Sequence, residues 1–193
     1  MKIYPFIFAV MISATPAQAE PFDFKGIKLG TSLQEFKTLK HPDGKNAVPD
    51  CSAEGDNRIV TCTFGSIADG ALSMGGGRYV SYFYSFDFAP DSSGVLRLYM
   101  INAQTNIDAV PDVLAALSGK FGKYRKTTGS VQNIIGNSFQ SSTYTWSRPD
   151  SEIKLSAPYS KLDKMNLMFT YKPILLLLEA SKASKRSAMP NKI

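Results

Sequence analysis

The sequence predicts an α+β fold, antiparallel sheet with helices packed on it, and three observations carry that expectation. Residues 79–88 alternate with period two: Val80, Tyr82, Tyr84, Phe86 and Phe88 share one side, while Ser81, Ser85 and Asp87 lie on the other. Alternation of that length marks an antiparallel strand with one buried face. Two apolar stripes at helical spacing, Leu33/Phe36/Leu39 and Val113/Leu117/Phe121, each precede a group of strand-like segments. Pro173 then opens a last helix through the aliphatic run 174–178. The order helix, three strands, helix, three strands, helix reads as two tandem helix-plus-three-stranded antiparallel units with a C-terminal helix. The halves fall at about residues 24–104 and 105–172 and are expected to be similar.

Taken in order, residues 24–30 read as a short strand running into a turn. Thr31-x-x-Gln34 and Ser32-x-x-Glu35 both match a capping box, in which the hydroxyl satisfies a free N–H at the start of a helix, so either Thr31 or Ser32 is placed to cap it. Pro42 disfavours helix at the residue before it and ends the segment. Residues 43–57 are polar and turn-rich and hold Cys51. Residues 59–64 form a strand with Val60, Cys62 and Phe64 on one face. Residues 65–78 read as a loop with Gly75, Gly76 and Gly77 in a turn, not a phosphate cradle, since no Gly-Lys-Ser/Thr follows. Leu96, Leu98 and Met100 alternate on a returning strand. Asp108 is placed to cap the second helix, and Gly122 to end it in a left-handed conformation. Residues 123–140 read as a long polar segment. Three strands follow, carrying Tyr144 and Trp146, then Ile153 and Leu155, then Leu167, Phe169 and Tyr171.

The two ends of the chain speak to location. Lys2, the apolar run 3–12 and the small-x-small pattern Ala17-Gln18-Ala19 have the form of a secretory signal peptide over residues 1–19. The run is too short to span a bilayer, which needs about 20 apolar residues. Residues 20–172 then form a single α+β domain, and residues 173–193 a C-terminal helix and basic tail. Formal net charge is +6, but Lys182, Lys185, Arg186 and Lys192 crowd into the last fourteen residues, which hold no acid. A near-neutral body with a basic tail argues against nucleic-acid binding. The tail reads first as a solvated end, and second, through Lys182, Lys185 and Arg186, as a contact for an acidic partner or a membrane surface touched by the C-terminal helix.

Cys51 and Cys62 are the only cysteines. In an oxidising compartment an isolated pair at this spacing is expected to be bridged. Zinc would need four ligands, and the chain offers one histidine, His41, so no metal or cofactor is expected. There is no nucleophile elbow and no His-Glu-x-x-His pair. His41, beside Pro42 in a turn, is expected at the surface. Glu35 is accounted for by capping, and Asp150 and Glu152 in a turn do not make a glycosidase pair. Phe83 stands on the otherwise polar face of its strand and reads either as a side chain covered by a loop or the last helix or as a contact residue.

The helix opened by Gly30-Thr31-Ser32-Leu33, the helix closed by Phe121-Gly122, and the aromatic strands at 79–88 and 144–146 give an element order that resembles the β-lactamase-inhibitor-protein-like architecture. It also resembles the related SmpA/OmlA (BamE-like) outer-membrane assembly proteins. That resemblance implies protein binding as the working class. The lipidated cysteine of the assembly proteins is absent from this sequence. The expectation is therefore an exported, periplasmic or secreted accessory protein that binds another envelope or secreted protein, without a catalytic constellation. The alternative is a secreted hydrolase or small-ligand-binding protein with its site in residues 65–78 or 123–140.

Overall fold

The computed structural model describes residues 20–53, 55, 58–65, 71–74, 79–81, 83–132 and 135–187, excluding the side chains of Tyr79, Val80, Lys185, Arg186 and Ser187. The signal-peptide segment 1–19, Tyr82 and the tail 188–193 lie outside the described residues. A small hairpin of β1 (Asp23–Phe24) and β2 (Ile27–Lys28) leads into the one-turn helix α1 (Leu33–Phe36). Strands β3 (Pro49–Cys51) and β4 (Val60–Phe64) follow, then a second hairpin of β5 (Leu72–Met74) and β6 (Tyr79–Ser81). Next come β7 (Phe83–Pro90), β8 (Leu96–Asn106), a 3-10 turn (Ile107–Ala109) and α2 (Val110–Phe121). Strands β9 (Arg125–Gln132), β10 (Ser138–Ser147), β11 (Ser151–Ala157) and β12 (Lys164–Tyr171) precede the terminal helix α3 (Lys172–Ser187).

Eight strands form one sheet in the order β3-β4-β7-β8-β12-β11-β10-β9, every neighbouring pair antiparallel. The first half of the chain supplies four strands and the second half four, meeting at the β8–β12 pair. The expectation of three strands per half is corrected at three segments. The turn-rich segment 43–57 holds β3, the expected loop 65–78 holds β5, and the polar segment 123–140 holds β9 and the start of β10. Within the run 79–88, β6 pairs with β5, whereas β7 pairs with β4 and β8.

One sheet face carries the main core, including Cys62, Phe64, Phe86, Ile101, Ile153, Leu155 and Phe169. It is covered by Phe22 and Phe24, by α1 and by Val113 and Leu117 of α2. Phe36 of α1 is fully buried, with ring centroids 5.4 Å from Phe64, 4.9 Å from Phe86 and 5.1 Å from Phe88. Packing, more than a single helical turn, therefore holds α1; burying one such ring contributes about 1.5–3 kcal/mol. Ser32 caps α1, its Oγ accepting from the Glu35 N–H at 3.2 Å. Gly30, at φ +86° with the Tyr171 ring 3.5 Å from where a Cβ would stand, turns the chain from the first hairpin onto the sheet. The opposite face is covered in part by α3, whose Ile174 packs with Ala89 and Tyr99.

Three local expectations are corrected. Asp108 does not cap α2, because a 3-10 turn precedes that helix and no side chain caps it. His41 is 3% exposed, its ring 5.2 Å edge-on from Phe64 and its Nδ1 accepting from the Asp43 N–H at 3.1 Å. Pro42 does not end the helix either: α1 already stops at Phe36, with Lys37 as its C-cap, and the turn holding His41 and Pro42 folds inward onto the aromatic core.

Candidate functional site

The two edges of the sheet are built differently. At one edge β3 is three residues long, carries Pro49 and is tied to its neighbour by the Cys51–Cys62 disulfide, whose residues are register partners with Cα atoms 4.0 Å apart. Short length and proline both discourage further pairing. At the other edge β9 is eight residues long, every one exposed, and among the described residues no strand pairs with its outer side. Its inner side is held along its full length by β10, from Arg125 opposite Thr145 to Gln132 opposite Ser138.

Aromatic side chains fix where β9 begins. Trp146, 2% exposed, donates its indole N–H to the Gly122 carbonyl at 2.9 Å. Tyr124 stands edge-on to Tyr144 at 5.2 Å and to Trp146 at 5.3 Å. Lys126 lies over the Tyr144 ring, 5.4 Å from its centroid. Between Asp112 and Asp150 the chain has no acidic residue but five cations, Lys120, Lys123, Arg125, Lys126 and Arg148. Three of these, Lys123, Arg125 and Lys126, stand at the start of the edge. At its far end β9 runs into an apolar groove of about 610 Å³, formed with the 158–162 turn. Val131, Ile135, Tyr159 and Leu162 line it and are 38%, 79%, 43% and 45% exposed. The Tyr159 N–H donates to the Lys164 carbonyl at 2.8 Å, which closes that turn between β11 and β12. An exposed apolar cluster continuous with an open strand edge is a surface suited to an extended polypeptide, the main chain giving affinity and the groove selecting side chains.

The side chains singled out from sequence lie elsewhere. Cys51 and Cys62 are bridged. Phe83 is 60% exposed on the sheet face opposite the main core, in register with Gln104, which in turn faces Asn166. Lys182 is exposed on α3; Lys185 and Arg186 fall within the span of that helix, and their side chains lie outside the description. Leu176 and Leu177 are 63% and 43% exposed on the same helix. Phe83 and the α3 cations are not part of the β9 edge. The two segments named for the alternative reading have different fates. Residues 123–140 supply the edge and part of the groove, while Ser73 and Met74 of 65–78 line a separate cavity against α2.

At the mouth of that cavity Asp43 joins three elements. It accepts from the Lys25 ammonium and, at 2.6 Å, from the Ser73 N–H. Burial pushes its carboxyl up, but the Lys25 and Ser73 bonds outweigh this and hold it below the ordinary carboxylate range. Among the described residues no group of three His, Cys, Asp or Glu side chains could hold a metal ion. No described helix is long and apolar enough to cross a membrane. Comparison of the chain with protein-family models, with curated proteins and with solved structures gives no match.

Proposed function

We propose that this is an exported binding module whose β9 edge receives an extended, acidic segment of another envelope or secreted protein. The observation that carries this reading is the contrast between the two edges: β3 is short and stapled, whereas β9 is long, wholly exposed and continuous with an apolar groove. Natural sheets blunt edges that are not used. The basic residues at the start of β9 favour an added strand carrying Asp or Glu. Export rests on residues 1–19 and is supported by the disulfide, which belongs to oxidising compartments. The tandem-unit reading is part of the same proposal. It is supported by the equal division of the sheet at β8–β12 and by α1 and α2 both packing on its core face. The resemblance to inhibitor-like and outer-membrane assembly architectures agrees with a binding role.

Selection from a random library of displayed peptides tests it. Enriched sequences should alternate acidic with β-branched or aromatic residues, and Arg125→Glu/Lys126→Glu protein should lose the acidic preference. Recovery of no peptides above background, or the same peptides from the charge-reversed protein, contradicts the reading.

A further inference from the structure

Helix α3 outruns the surface on which it docks. Ile174 is buried and Leu175 and Leu178 are half-buried, but every residue from 179 to 184 is exposed. At about 3.6 residues per turn, the side of α3 turned away from Ile174 and Leu178 carries Pro173, Leu176, Leu177, Ala180, Ala183 and Ser184. All six are exposed, Leu176 and Leu177 at 63% and 43%, and none is charged. Lys182 stands on the other side of the helix from Ala180. A docked helix ordinarily turns its apolar stripe inward and its charge to solvent. This one has a second apolar face, turned outward. It leads into residues 180–193, where Lys182, Lys185, Arg186 and Lys192 meet no acid in the sequence.

The spacing on that face selects its occupant. A protein groove takes bulky anchors at i, i+3 or i+4, and i+7. Counted from Leu176, i+4 and i+7 are Ala180 and Ala183, too small to fill such pockets. Two leucines and two alanines also fall short of the roughly 800 Å² that each partner buries in a stable dimer. A lipid surface has no pockets to fill. It takes the apolar side of a helix into the boundary between headgroups and acyl chains and leaves the basic side in water. The acid-free basic end selects an anionic surface over a neutral one, because Lys and Arg are drawn to negatively charged headgroups. We propose that α3 is a membrane-surface helix, seated in an anionic bilayer by Leu176 and Leu177 while Ile174 keeps it docked on the sheet. So seated, α3 holds the body of the protein against that bilayer. The proposal does not depend on the β9 edge.

Flotation of the purified exported protein at low salt tests the proposal, with vesicles of phosphatidylcholine alone and with vesicles that also contain phosphatidylglycerol. Only the mixed vesicles should carry the protein, and raising the salt should weaken capture by about tenfold. Leu176→Ser/Leu177→Ser, at exposed positions, should weaken capture by about tenfold and leave the melting temperature of the free protein unchanged. Lys182→Gln/Lys185→Gln/Arg186→Gln should abolish the preference for mixed vesicles. Both native cysteines are in the disulfide, so one introduced cysteine can carry an environment-sensitive fluorophore. On saturating mixed vesicles the probe on Ala180→Cys should report apolar surroundings, and the probe on Lys182→Cys should report water. No capture, equal capture by the two kinds of vesicle, unchanged capture of the leucine variant, or like surroundings at the two probes overturns the proposal. So does displacement from the vesicles by poly-glutamate that the leucine changes leave untouched, the mark of an acidic protein partner. Peptide capture at β9 should be the same in the leucine variant as in the parent, so the two readings fail or stand separately.

Discussion

The indole N–H of Trp146 donates to the Gly122 carbonyl, 2.9 Å away, and so ties the end of α2 to the strand on which the outermost strand is laid. Gly122 sits at φ +82°, ψ −153°, a conformation open to glycine, and lets the chain leave the helix toward β9. Trp146→Phe keeps most of the buried ring and removes the bond. Stability should fall by about 1 kcal/mol, the net worth of one such hydrogen bond. Amide exchange at Tyr124 and Arg125 should accelerate while the β4–β7 pair is unchanged; uniform acceleration would mean that the tryptophan acts as core filler alone.

The disulfide closes a loop of eleven residues in sequence separation. Replacing both cysteines with serine should cost roughly 2–3 kcal/mol by restoring freedom to the unfolded chain. Denaturant unfolding with and without reductant checks this: the parent protein should lose that stability on reduction, and the double variant should not respond.

Asp87 lies on the sheet face that α3 partly covers. Burial raises its carboxyl pKa, and hydrogen bonds from Thr61 and Ser85 only partly offset this. A carboxyl whose folded pKa is raised costs stability above that pKa, and the cost vanishes below the unfolded value near 3.8. Asp87→Asn should therefore raise the melting temperature at neutral pH, with the gain shrinking to nothing on acidification. A gain that persists at pH 3, or a loss at pH 7, contradicts the assignment.

Ile174 is 2% exposed in the small cluster beneath α3, whereas Leu176 faces outward. Ile174→Ala should cost about 2–3 kcal/mol, at the lower end for a buried isoleucine. Leu176→Ala should cost almost nothing thermally. If the order is reversed, α3 is not docked through Ile174.

Much of this was legible in the sequence for a physical reason: burial leaves a period. Phe36, Val113 and Leu117 recur at helical spacing and lie in the core, and Tyr84, Phe86 and Phe88 alternate and are buried. Cys51 and Cys62 bridge, and the aliphatic run of α3 splits into Ile174 inside and Leu176 outside. Strand β9 was not legible, because neither of its faces is buried and no apolar alternation marks it. Its signals were weaker: the β-branched Thr127, Thr128 and Val131, and a stretch from Val113 to Arg148 free of both proline and acid. His41 was misplaced because Pro42 restricts the backbone of the residue before it and says nothing about which side of the turn faces Phe64.

The β9 edge is the account's central claim, and amide hydrogen exchange on the full chain, with and without a selected acidic peptide, tests it most directly. Strand addition protects outward-facing amides only, so protection should appear at alternate residues of Arg125–Gln132, with β3 and the face bearing Phe83 unchanged. Protection centred on Phe83 or α3, or bound peptide with no change in β9, would contradict it.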